Sequence, residues 1–234
     1  MALPKPTRPE YSTTIPSSGK KIKYQPFSVK EEKILILASE SQDTDEISNA
    51  ITNVLESSVT SPGFKVSELA LFDIEFLFLR ARAKSVGEEL EVNVTDPDDQ
   101  TYTVTHKIEI DKINVTKNKD HKDLIQVAED TSIKMRYPGI EFFVEGVNMN
   151  NITDRLDLAA QCIEQIVVGD DVYNKEDMDP GEAQEWLEGL TSTQFSKVME
   201  FFVTMPRLEH KFTLTNSNTK KKFTIQLEGL ADFF

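Results

Sequence analysis

Residues 69–86 constrain the fold more than any other stretch of this chain. Read as a helix, they place Phe72, Phe76, Leu79 and Ala83 on one stripe. Ile74, Leu77 and Phe78 spread apolar surface over most of the remaining circumference. A helix apolar on nearly every side is stable in water only when other elements surround it, so this one is predicted to be central. Arg80, Arg82 and Lys84 stand near its electronegative C-terminal end, and Gly87 follows as a capping glycine. Charge–dipole interaction accounts for these basic residues. Contact with a partner protein is the second role open to Arg80 and Arg82.

The segments before it supply part of the packing. Prolines at 4, 6 and 9 make an extended arm. Residues 11–15 and 20–27 flank Pro16-Ser17-Ser18-Gly19, the pattern of a β-hairpin whose glycine can adopt positive φ. Ile22 and Tyr24 alternate with Lys21 and Lys23, so one face is buried and the other wet. Ser28 and Glu31 form a capping box that opens a helix apolar through residues 34–38. Acidic residues at 43, 45 and 46 suit the positive end of a second helix, with Ile47, Ala50, Ile51, Val54 and Leu55 on its buried stripe. Ser61-Pro62-Gly63 stops it.

From residue 88 the hydrophobic period shortens to two. Leu90, Val92 and Val94 alternate with polar residues, Asp96-Pro97-Asp98-Asp99 turns, and Tyr102, Val104, Ile108, Ile110, Ile113 and Val115 return. The aspartates lack the central glycine and distal glutamate of a calcium loop, so a plain turn is expected. Alternation resumes at Ile133, Met135 and Tyr137, and 140–144 reads as one more short strand. A helix capped by Thr153 then carries Leu156, Ala159, Ala160, Ile163 and Ile166 or Val167 as far as Gly169. Asp179 and Pro180 signal a short helix anchored by Trp186 and Leu187. Thr191 and Gln194 cap another, which buries Phe195, Val198, Met199 and Phe202. A hairpin closes the chain. Its strands carry Leu208, His210, Phe212 and Leu214, then Phe223, Ile225 and Leu227, and His210 is expected as a satisfied core histidine.

The expected class is α+β: an N-terminal β-hairpin, a central helical bundle, an inserted β meander, and C-terminal helices followed by a β-hairpin. The corresponding segments are 1–87, 88–147 and 148–234, with the first and last sharing one core.

Composition narrows the function. The chain has 234 residues and a formal charge of −14, from 40 acidic against 26 basic side chains. Duplex nucleic acid is bound largely through phosphate neutralisation, which this balance opposes. The lysine run 220–222 reads as a solvated strand end or turn. No uncharged apolar stretch approaches the roughly 20 residues of a membrane span. Residues 1–9 hold no apolar run, so no secretory leader is expected and synthesis in the cytosol is the default. Cys162, His106, His121 and His210 lack metal-site spacing, and Cys162 falls on a helix stripe as a small core residue. No phosphate loop, dinucleotide fingerprint, nucleophile elbow or HExxH motif is present. A hydrolytic Glu–Asp pair is the one arrangement that spacing leaves open. A binding protein without cofactor or metal is the expectation.

Particular strings resemble the T4-like bacteriophage baseplate protein family. They are Leu3-Pro4, PSSGKKIKY at 16–24, PFSVKEEK at 26–33, FDIEFLFLRARAKSVGE at 72–88, FFVTMPRLEH at 201–210 and LEGLADFF at 227–234. The likeness runs from end to end and is weakest between 90 and 180. It implies a part in building the central hub of a contractile tail's baseplate, in the host cytoplasm. The role is that of an assembly factor or chaperone, or of a permanent structural subunit of the virion. The implied partners are other tail or baseplate hub proteins, or the tape-measure protein. The family offers no catalytic residue to carry over. Candidate partner contacts are Phe27, the helix 72–86 with Arg80 and Arg82, and the terminal Phe233 and Phe234, which either fold back on the hairpin or fill a partner's pocket.

Overall fold

The computed structural model describes residues 6–142 and 149–230. The chain divides into two units, one made of 1–116 and 207–234, the other of 117–206. Helices and small antiparallel sheets alternate in the mixed α+β manner expected.

The first unit opens with the hairpin of β1 (Tyr11–Thr14) and β2 (Lys21–Tyr24), in register from Tyr11 opposite Tyr24 to Thr14 opposite Lys21. Gly19 takes φ +69° at the turn, a conformation that side chains resist. Ile22 and Tyr24 are buried while Lys21 and Lys23 are exposed, as their alternation requires. α1 (Val29–Ser41) starts at the expected capping box, where the Ser28 N–H donates to the Glu31 carboxylate at 2.6 Å. α2 (Thr44–Ser58) is capped by Asp43, whose carboxylate accepts from the N–H groups of Asp45 and Glu46, and it buries Ala50, Ile51, Val54 and Leu55.

α3 (Leu71–Ser85) is the central element, with nine of its 15 residues buried. After it, β3 (Glu89–Asp96) and β4 (Asp99–Glu109) pair as a hairpin that buries Leu90, Val92 and Val94. A short 3-10 turn over Ile110–Lys112 then redirects the chain. β5 (Asn114–Thr116) finds its partner in β10 (Arg207–Thr215), with Leu208 opposite Val115. β11 (Lys222–Glu228) completes a three-stranded sheet in the order β11-β10-β5. Lys220, Lys221 and Lys222 are exposed at the β10–β11 turn.

The second unit holds β6 (Leu124–Gln126), β7 (Thr131–Met135), α4 (Ile152–Cys162), β8 (Ile163–Val168), β9 (Asp171–Asn174), α5 (Glu182–Glu188) and α6 (Ser192–Thr204). Its antiparallel sheet runs β6-β7-β8-β9. The core beneath the sheet includes Ile133, Met135, Ala159, Cys162, Ile163, Val198, Phe201 and Phe202. Burial pushes the Cys162 thiol up to about 12, which keeps it protonated and unreactive.

Sequence and structure part company at specific positions here. The helix expected to run towards Gly169 ends at Cys162, and 163–168 is strand β8. The apolar residues of Ile-Glu-Gln-Ile-Val-Val stand at helical spacing, but a register shift beside Lys134 and Met135 lets Ile163 and Ile166, three apart, both be buried in a strand, and the β-branched residues fit a pleated sheet facing β7. The cap of α4 is Asn151, whose side chain accepts from the Thr153 N–H at 2.9 Å. α5 has its N-cap at Gly181, with φ +95°, and not at Asp179, whose N–H donates to the Glu182 carboxylate at 2.8 Å. Of the short strand expected at 140–144, residue 140 is in a turn and 141–142 are helical, while 143–144 lie outside the described residues.

The α3 clamp and candidate partner surfaces

A helix as apolar as α3 makes each of its polar residues conspicuous, since a buried polar group without a partner costs about 1–3 kcal/mol. Asp73 and Glu75 are buried in its first two turns. Asp73 accepts the backbone N–H of Ser17 at 3.0 Å and also the Ser17 hydroxyl, so the tip of the N-terminal hairpin is fastened to the start of the helix. Glu75 accepts the Leu230 N–H at 2.9 Å, which fastens the end of the C-terminal hairpin. Gly229, at φ +67°, lets the backbone come this near: a Cβ there would lie 3.0 Å from Glu75 Oε1. Burial dominates the Glu75 carboxyl and raises it to about 7, against the smaller opposing effect of the Leu230 N–H.

Arg80 works at the other end of α3. Its guanidinium donates to the carbonyls of Ile110 at 3.1 Å and Ile113 at 2.9 Å and to Asn114 Oδ1 at 3.1 Å, and it lies over the Phe76 ring at 4.7 Å. The segment between β4 and β5 is thereby held to the helix. A further polar lock joins two turns of the same unit. The buried Asn216 amide donates to Asp96 at 2.7 Å and to Asp99 at 3.2 Å, while its oxygen accepts from the N–H groups of Asn218 and Thr219. The Asp96–Asp99 turn thus has a tertiary partner that no local pattern announces. All these groups are spent on the chain's own backbone and turns. The arrangement positions segments of the chain around α3. Among the described residues no group of three or more His, Cys, Asp or Glu could hold a metal ion, and no helix is long and apolar enough to cross a membrane.

The segments pinned by this clamp, at 16–24, 72–88 and 227–230, fall within three of the strings that carried the sequence resemblance. A family model described as T4 bacteriophage base plate protein matches residues 8–234. The chain belongs to that family. No curated protein and no solved structure matches it.

Within this base plate family member, the candidate contact residues lie as follows. Phe27 is buried, stacked on Phe78 at 6.4 Å, and its N–H donates to Ser85 Oγ at 2.8 Å. Arg80 forms the clamp just described, and Arg82 is half-buried on the same helix, burial lowering the pKa of both guanidinium groups. Phe27 is thus packed against α3, and Arg80 ties that helix to the segment before β5. Phe233 and Phe234 lie outside the described residues. His210 is half-buried beside Phe212 at 5.6 Å, in keeping with its place on the apolar side of β10.

The feature that sequence reasoning missed is the outward side of α1. Val29, Ile36 and Leu37 are 80 %, 52 % and 53 % exposed, and Ala38 alone of that helix is buried. A signal was present in the sequence. Residues 34–37 form an unbroken aliphatic run, which on a helix points to more than one side and cannot all be buried by a single contact face.

Proposed function

We propose that this base plate family member is a hub assembly protein, which binds hub or tape-measure proteins while the tail is built and does so without catalysis. What supports the reading is the family match over residues 8–234. The acidic balance, with its charge of −14, adds solubility and favours partners with basic surface. Binding to one state of a client protein shifts the client's population towards that state by mass action, so no chemical step is needed. The work takes place in the host cytoplasm. Phe233 and Phe234 join the proposal as apolar contacts, and Arg82 as a basic one.

Quantitative mass spectrometry of purified virions tests the role. An assembly factor is near absent from finished particles and present in base plate intermediates. Stoichiometric presence in the virion would instead make the chain a permanent subunit of the base plate hub.

A further inference from the structure

The acidic surplus of this chain is concentrated in one stretch. Residues 164–188 hold nine carboxylates against Lys175 alone, a net −8 of the chain's −14. β9 lies within that stretch and ends the four-stranded sheet, with β8 on one side and no strand on the other among the described residues. By the alternation of an antiparallel ladder, every second residue of β9 points its N–H and C=O away from β8. Proline or a bulge would close such an edge. β9 reads Asp-Val-Tyr-Asn, its register with β8 is unbroken, and Val172 and Tyr173 are 53 % and 51 % exposed. Tyr173 also ends an apolar row across the sheet, opposite Ile166, which pairs with Ile133 and through it with Ile125. Asp170 and Asp171 precede Val172, and Glu176, Asp177 and Asp179 follow β9. All five are exposed, and none is in a salt bridge among the described residues. The nearby cations are spent on the chain itself. Lys175 and Arg136 both donate to the Gln161 carbonyl, and Arg136 also meets Glu141.

We propose that the open edge of β9 takes up an extended, lysine- or arginine-bearing segment of a partner tail protein as a further strand of the sheet. The inference rests on the assembly role above and names the class of partner it needs. Main-chain hydrogen bonds supply the attachment, and side chains set against Val172 and Tyr173 supply the fit. Carboxylates at both ends of β9 select a cationic segment, by charge complementarity at the rim. Beyond Asn174 the chain lines a cleft of about 580 Å³, where Ala160, Ile163, Met178 and Ala183 stand with Asp157 and Asp179. Apolar walls with carboxylates suit a side chain that has an aliphatic stem and a cationic head. A second copy of this chain is repelled, since each would bring the same net −8 to the contact. Antiparallel pairing of two β9 edges would set Lys175 near Asp170 of the copy, but that ammonium is held by its own Gln161 carbonyl. Nucleic acid and anionic bilayers are repelled by the same surface. β9 is four residues long, so the added strand makes few main-chain bonds and leaves readily, as an assembly factor requires.

The test uses the full chain, expressed during infection, with the photoreactive p-benzoylphenylalanine in place of Tyr173 or, as a control, of Lys221. Irradiation should join position 173, and not 221, to a tail protein within a segment rich in lysine or arginine. That segment, made as a synthetic peptide and added to the purified full chain, should slow amide hydrogen exchange in β9. Asp171→Lys with Glu176→Lys should weaken its binding roughly tenfold. Exchanging the basic residues of the peptide for glutamate should restore binding to that variant. Joining to a second copy, to lipid, to a segment without basic residues, or to nothing would overturn the assignment, as would peptide binding that leaves exchange in β9 unchanged. A phage deleted for the chain separates the two readings. If deletion abolishes base plates while the Asp171 and Glu176 reversal leaves them normal, the β9 assignment falls alone. If deletion leaves base plates intact, the assembly role falls.

Discussion

α1 and α3 resemble each other in sequence and differ in fate. Both are rich in Leu, Ile or Phe, and both begin at defined N-terminal boundaries. α3 has nine buried residues and uses Asp73, Glu75 and Arg80 to hold distant segments against it, whereas α1 buries Ala38 alone. The difference teaches that apolar content does not decide burial. What decides it is whether the helix carries polar groups that fasten neighbours around it. α3 collects a hairpin tip, a 3-10 turn and a C-terminal strand end; α1 leans on α2 with one side and leaves the other to solvent.

Substitution should expose the contrast most sharply in the core. Phe78→Ala removes a fully buried ring from α3 and should cost about 4 kcal/mol in chemical denaturation. A loss below about 1 kcal/mol would mean that α3 is not the centre of its unit.

The next largest effect is a pH dependence. The folded-state carboxyl of Glu75 titrates near 7 against an ordinary 4.5, so the native state binds the extra proton between those values. Its contribution is therefore fully present below about pH 4.5 and is lost as pH rises through 7. The loss amounts to roughly 3 kcal/mol. Glu75→Gln should abolish this dependence and make the protein more stable than the parent above pH 7, because the amide oxygen still accepts from Leu230. Parallel denaturation curves at pH 5 and pH 8 read the difference directly.

Asp73→Ala leaves the Ser17 N–H and hydroxyl without their acceptor and should lose about 2 kcal/mol. Amide hydrogen exchange should quicken in the β1–β2 turn while the second unit is unchanged. The smallest effect belongs to α1. Leu37→Ser should change stability by less than about 0.5 kcal/mol, since the side chain is already in water. A loss comparable to that of Asp73→Ala would show that the outward face is covered within the chain itself, and the contrast between the helices would collapse.

Local chemistry was legible wherever a residue acts on its near neighbours. The capping boxes at Ser28 and Thr191, the Asp43 cap, the Gly19 turn and the stripes of α2, α3 and α6 all follow from interactions spanning a few residues. The centrality of α3 also followed, because a helix apolar on most sides has no other stable place. Legibility failed where two local states compete. Residues 163–168 have helical apolar spacing but β-branched side chains, and their pairing with β7 settles the matter as strand. Candidate contacts were harder still. A phenylalanine at 27 or an arginine at 80 is compatible with core or surface until its neighbours are known.

By itself, then, the sequence determined the α+β class, the start of most helices and the family, since these depend on short-range capping, periodicity and recognisable strings. Only the tertiary structure decided that β5 pairs with β10, that Asn216 locks the Asp96 turn, and that α3's carboxylates bind Ser17 and Leu230. It also decided that α1 turns its aliphatic ridges outward. The physical reason is common to all of these. Each depends on which distant groups arrive at one point in space, and no periodicity along the chain encodes that arrival.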